Sequence, residues 1–131
     1  MLHIIRFGVL FFVFLLFVSG CKQSVPYDMA ELEGTASYKG QPLENVVLTF
    51  SSGSKRPSIA VVSADGKFKA VSSPSVKGVP IGKCVVRVGW ETAPDAPPEQ
   101  WKELFDKYGY ESDGLEIDIT KSNKNYSLNF E

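Results

Sequence analysis

From Leu32 onward, apolar and polar residues alternate with period two over short stretches, as they do in strands with one buried face. In LEGTASY, Leu32, Gly34, Ala36 and Tyr38 fall on one side. VVLTF turns Val46, Leu48 and Phe50 inward and Val47 and Thr49 outward. SIAVVS (58–63) and FKAV (68–71) supply a third and a fourth strand, with Phe68 and Ala70 sharing a face. KCVVRVGW sets Cys84, Val86, Val88 and Trp90 against Lys83, Val85, Arg87 and Gly89. LEIDIT points Leu115, Ile117 and Ile119 inward, and YSLNF closes the chain with Tyr126, Leu128 and Phe130 inward. KGQP, SSGSKRP and SNKN carry turn residues, Asp65-Gly66 is a hairpin signal, and SSPSVKGVPIGK (72–83) reads as loop. Seven short strands predict an all-β fold, two packed antiparallel sheets forming a β-sandwich.

One segment breaks the rhythm. TAPDAPP (92–98) is proline-rich and does not suit a sheet interior. EQWKELFDKYG then places Trp101, Leu104, Phe105 and Tyr108 at i, i+3, i+4 and i+7, one apolar face of a helix over about 98–108. Pro98 suits its first turn and Gly109 its end. A helix this short is not stable alone, so that face must pack on something. Trp101, Phe105 and Tyr108, with Trp90 and Tyr110 nearby, are the candidate binding surface. The same periodicity also suits a helix that covers an open end or edge of the sandwich.

The first twenty residues follow another logic. His3 and Arg6 precede a twelve-residue apolar run, Phe7 to Val18, and Ser19-Gly20 follow it. The run is too short for an ordinary membrane-spanning helix, which needs about 20 residues. The layout is that of a cleaved secretory signal peptide. VSGC, Val18 to Cys21, resembles the lipobox of bacterial lipoproteins. The resemblance implies a diacylglycerol thioether on Cys21, cleavage before it and N-terminal acylation, palmitate included. Two or more acyl chains make attachment to a membrane effectively stable. Lys22 stands where an Asp would imply retention at the inner membrane, so an outer-membrane location is expected, on the periplasmic face or the cell surface. The expected organisation is a signal peptide over 1–20, a tether over 21–31 and the β-sandwich over 32–131. With Cys21 acylated, Cys84 has no partner and no intrachain disulfide is predicted.

YKGQPLENVVLTF, SADGKFKA and VPIGKCVVRV resemble the signature stretches of the carboxypeptidase regulatory-like, or transthyretin-like, β-sandwich. The closing KYGYESDGLEIDITKSNKNYSLNFE resembles the tail of small bacterial lipoproteins that carry this domain. The resemblance implies a transthyretin-like or Ig-like sandwich and an accessory or binding role in a cell envelope, with no peptidase activity. Cys84 departs from the pattern, standing where that family often has an aromatic residue.

Composition narrows the chemistry. The chain has 131 residues and a net charge of -1, which gives no basic footprint for nucleic acid. Removing twenty residues leaves 111, with 13 basic and 15 acidic side chains, enough for one small domain. The only histidine, His3, lies in the leader, so triad catalysis and histidine-ligated zinc are not expected of the mature chain. Cys84, on an inward strand face, reads as a silent core thiol. Glu111, Asp113, Glu116 and Asp118 cluster without a calcium-loop pattern and read as solvated. Lys55, Arg56, Lys67 and Lys69 read as a solvated face for want of a positive overall balance. The expected function is that of a monomeric, non-enzymatic, lipid-anchored envelope protein with a structural or protein-interaction role and no cofactor or metal. The alternative is a glycan- or peptide-binding module that uses the helix aromatics; a small hydrolase using Glu and Asp alone is the third reading.

Overall fold

The computed structural model describes residues 24–91 and 96–131. The segment expected to be a signal peptide and Cys21 lie outside the described residues, and among the described residues no helix is long and apolar enough to cross a membrane. In chain order the elements are β1 (Met29–Ala30), β2 (Leu32–Tyr38), β3 (Gln41–Pro42), β4 (Val46–Ser51), β5 (Ser58–Val61), β6 (Lys67–Lys69), β7 (Val71–Ser73), β8 (Val76–Lys77), β9 (Val79–Pro80) and β10 (Gly82–Trp90). A 3-10 turn (Glu99–Trp101) leads into α1 (Lys102–Tyr108), and β11 (Leu115–Ile119) and β12 (Asn123–Phe130) complete the chain.

The strands form a six-stranded sheet in the order β11-β10-β4-β5-β7-β8, and a second sheet in which β12 flanks β2 on one side while β3 and β6 pair its other side. β1 and β9 form a separate pair. Leu32, Ala36, Leu128 and Phe130 of the second sheet share one buried cluster with Val46, Leu48, Phe50, Val86 and Val88 of the first. This is the core of an all-β sandwich. The alternation in β4 and β10 places the inward set as expected.

Among the described residues twelve strand segments replace the seven expected. KGQP contributes β3, because Lys39 and Gly40 both take positive φ (49° and 80°) and fold the chain back as a primed hairpin turn does. The expected loop 72–83 holds β8 and β9, whose partners are distant in sequence and so leave no local pattern. FKAV splits at Ala70, so that β6 pairs β2 in one sheet and β7 pairs β5 in the other. Ala70 N–H donates to Leu32 O at 3.0 Å while its own carbonyl accepts from Gly78 N at 2.9 Å. Asp65-Gly66 does close a tight turn, but β5 and β6, the strands it joins, lie in different sheets.

The sandwich is also not wholly antiparallel, since β12 runs parallel to β2. After β11 the chain crosses from one sheet to the other at the end where β2 begins. β12 must then climb in the same direction as β2, and Asn123 pairs Leu32 while Phe130 pairs Tyr38. The crossing is fastened by Asn123 N–H to Glu31 O at 2.9 Å and by Glu31 N–H to Ser122 Oγ at 2.9 Å.

Residues assigned to the tether belong in part to the fold. Met29 and Ala30 pair with Pro80 and Val79, Ala30 is buried, and Ile81 N–H donates to Asp28 O at 3.0 Å. Tyr27 OH accepts from Arg56 N at 3.2 Å. The chain therefore enters the domain near Tyr27, at the pole where β2, β10 and β12 start and β11 ends. The helix occupies the opposite pole. Lys39, just past β2, lies 3.1 Å from Glu103, and Glu131, just past β12, accepts from Tyr108 OH at 2.9 Å.

Candidate functional site

β11 pairs only the first part of β10, from Gly82 to Val86, which leaves the edge of β10 from Arg87 to Trp90 without a strand beside it. The helix and the 109–114 connection occupy that space. Trp101 (1% exposed), Leu104 (0%) and Tyr108 (7%) enter the core, where Trp101 meets Tyr38 edge-on at 6.4 Å and Tyr108 meets Phe130 at 5.0 Å. The apolar stripe thus closes the sandwich. Trp101 and Tyr108, two of the three residues named as a binding surface, are core, and an aromatic platform built on them is corrected accordingly. Phe105, at the margin of the stripe, is half-buried and packs edge-on against Trp90 at 6.3 Å.

Phe105 and Trp90 instead form one wall of an open cleft of about 590 Å³, completed by Pro97, Asp106, Tyr110 and Glu111. Among the described residues Tyr110 is the most exposed large hydrophobic side chain, at 62%. Its ring lies over Gly89, where an added Cβ would come within 2.4 Å of the phenol oxygen. That oxygen sits 3.4 Å from Thr49 Oγ1. The connection beneath it is held by Arg87 Nε, which donates to Ser112 O at 2.9 Å, and by Ser112 Oγ, which donates to Gly109 O at 2.7 Å. Gly109 ends the helix in extended backbone, and glycine is needed there because a Cβ would press on Phe105 O at 2.4 Å. Trp90 Nε1 is buried with no hydrogen-bond partner, and the cleft carries aromatic faces and a rim with two carboxylates. Those faces suit stacking against a ring or aliphatic side chain.

The remaining candidates are dispersed. Cys84 is a free, buried thiol, and burial pushes its pKa up. Glu116 and Asp118 are exposed on edge strand β11, Asp113 is exposed in the connection before it, and Glu111 alone of the cluster reaches the cleft. Among the described residues no three His, Cys, Asp or Glu side chains converge as metal ligands would. A second hollow, of about 370 Å³, lies over the irregularity in β12 between Asn123 and Tyr126, lined by Glu33, Gly34, Lys67 and Phe68 among others.

Two exposed carboxylates carry lowered pKa values. Glu103 is held below 4.5 first by the hydrogen bond it accepts from Lys39, and Asp65 below 3.8 first by its hydrogen bond from Ser63. Depressed folded values mean that the stabilisation is present above the unfolded pKa values and is lost as pH falls through the folded ones. The melting temperature is expected to hold between neutral pH and 4.5 and to decline below it. The decline should be shallower in Glu103→Gln with Asp65→Asn, measured by thermal denaturation across acid pH. A decline of unchanged slope in the double variant would remove these two groups from the account.

No family model, no curated protein and no solved structure matches this chain.

Proposed function

We propose that this chain is a lipid-anchored cell-envelope protein, held by acyl groups on Cys21, whose non-catalytic β-sandwich serves a structural or protein-interaction role. The observation that carries this reading is the place where the chain enters the fold. VSGC is followed by only five residues before Tyr27 is engaged, and it enters at the pole opposite the helix and its cleft. An anchor there leaves the helix pole free to meet a partner. Resemblance to the lipoprotein leader and to the transthyretin-like domain supports the same reading. Cys21→Ser is the test. The native chain is expected to incorporate labelled palmitate and to sediment with membranes, and the variant to do neither. Labelling of the variant at the native level would end the proposal.

A second reading is a binding module for a glycan or peptide, favoured by the cleft at Trp90, Phe105 and Tyr110. It predicts that the ligand shifts tryptophan emission through Trp90, because Trp101 is sealed in the core. Tyr110→Ala, at an exposed site, should abolish that shift while leaving the melting temperature within about 2 °C. A shift that survives in Tyr110→Ala would place the ligand elsewhere.

A further inference from the structure

The described residues carry 12 cations and 14 anions, so their summed charge gives no reason to bind an acidic surface. The fold divides them unevenly. At the pole where the chain enters lie Lys55 and Arg56 in the loop beside Tyr27, and Lys121 and Lys124 where the chain crosses into β12. Lys69, opposite Glu33, Lys83, opposite Asp118, and Lys77, next to the Gly78 that packs on Ala30, complete the set. Seven cations there face five anions, Asp28, Glu31, Glu33, Glu116 and Asp118, a balance of +2. At the helix pole Lys39, Lys102 and Lys107 face seven anions, among them Glu44, Glu91, Glu103, Asp106 and Glu131, a balance of -4.

Salt bridges absorb part of the basic set. Lys69 pairs with Glu33 at 3.3 Å, Lys83 with Glu116 at 3.9 Å and Lys124 with Glu31 at 3.9 Å. Among the described residues Lys55, Arg56, Lys77 and Lys121 have no carboxylate within 4 Å. Ile81, 37% exposed, adds an apolar side chain at the same pole. The eight residue steps of β10 separate the poles by about 26 Å. Screening at physiological salt acts over about 8 Å. The acidic helix pole therefore cannot cancel what the basic pole feels.

We propose that this basic pole docks on the anionic headgroups of the membrane that holds the chain, so that the sandwich stands on the bilayer with its helix and cleft pointing away. The proposal rests on the lipid-anchored reading. Six residue steps from Cys21 to Tyr27 span at most about 20 Å, which keeps the basic pole close to the surface. Each cation held near an anionic bilayer favours the docked state by about fivefold. Four without a carboxylate partner suffice to order a domain that a flexible tether alone would let tumble.

The full lipidated chain, taken from membranes in detergent and reconstituted into phosphatidylcholine vesicles with or without phosphatidylglycerol, tests this. A fluorophore is placed on Thr120→Cys, exposed at the basic pole, or on Gln100→Cys, exposed at the helix pole, and a spin-labelled lipid serves as quencher. Docking predicts quenching at 120 and not at 100, only in anionic vesicles, and lost at about 1 M salt, where screening acts over about 3 Å. Lys77→Gln with Lys121→Gln should lower the docked-to-free ratio by about 25-fold. Equal quenching at the two sites, or quenching indifferent to lipid charge and salt, overturns the docking. Sedimentation at high salt reports on the anchor separately. Release of the protein there, with the contrast between the two labels intact at low salt, supports docking while it removes the acyl anchor.

Discussion

Trp101→Ala is expected to lower the melting temperature of the domain by about 15 °C or more. The side chain is 1% exposed and is the largest of the fully buried ones among the described residues. Removing a buried aromatic of this size costs about 3–5 kcal/mol in lost transfer energy and residual cavity. A domain of about 100 residues loses roughly 4–8 °C per kcal/mol. The damage should spread beyond the helix, because Trp101 is the contact through which the helix meets Tyr38 at the end of β2. Thermal denaturation followed by near-ultraviolet circular dichroism measures it. A loss of only a few degrees would mean that the helix is peripheral and that the far edge of β10 does not depend on its cover.

Gly34→Ala is expected to cost as much as a core truncation, although it adds a single methyl group. Gly34 sits in β2 opposite Tyr126, where β12 departs from regular register. A Cβ at Gly34 would lie 1.8 Å from Tyr126 O and 2.6 Å from its carbonyl carbon. Those are backbone atoms, so relief requires moving β12 rather than turning a side chain. Overpacking commonly costs about 1–3 kcal/mol, and more where backbone must shift. The expected loss is therefore about 3 kcal/mol or above, with the fraying confined first to the β2–β12 pair. Amide exchange should show early loss of protection at Tyr126 and Ser127 with β4 and β10 still protected. Native protection at Tyr126 in the variant would sink this account of the glycine.

The two results probe opposite kinds of legibility. Trp101 announced a buried partner through its spacing with Leu104 and Tyr108, but the spacing could not say whether that partner was the core or a ligand. Burial against Tyr38 and Phe130 decides it, and both are distant in sequence. Gly34 looked like one more small residue on an inward strand face. Its requirement comes from a parallel neighbour that alternation along a single strand cannot reveal. The cleft was only half legible. Trp90 and Tyr110 stood near the helix in sequence, yet Tyr110 reaches the outer face of β10 only because Gly89 leaves room for its ring.

Local chemistry in the chain by itself determined the inward faces of β2, β4 and β10, the extent of the helix, the buried place of Cys84 and the tight turn at Asp65-Gly66. All of these follow from side-chain period and backbone propensity within a few residues. Tertiary structure alone decided that β12 runs parallel to β2, that the strand beginning at Lys67 changes sheets at Ala70, and that Met29–Ala30 belong to the fold. It also decided that a chain of nearly balanced charge carries a basic pole and an acidic one. Strand pairing and the position of surface charges depend on which distant segments meet, and no window of the sequence contains both partners.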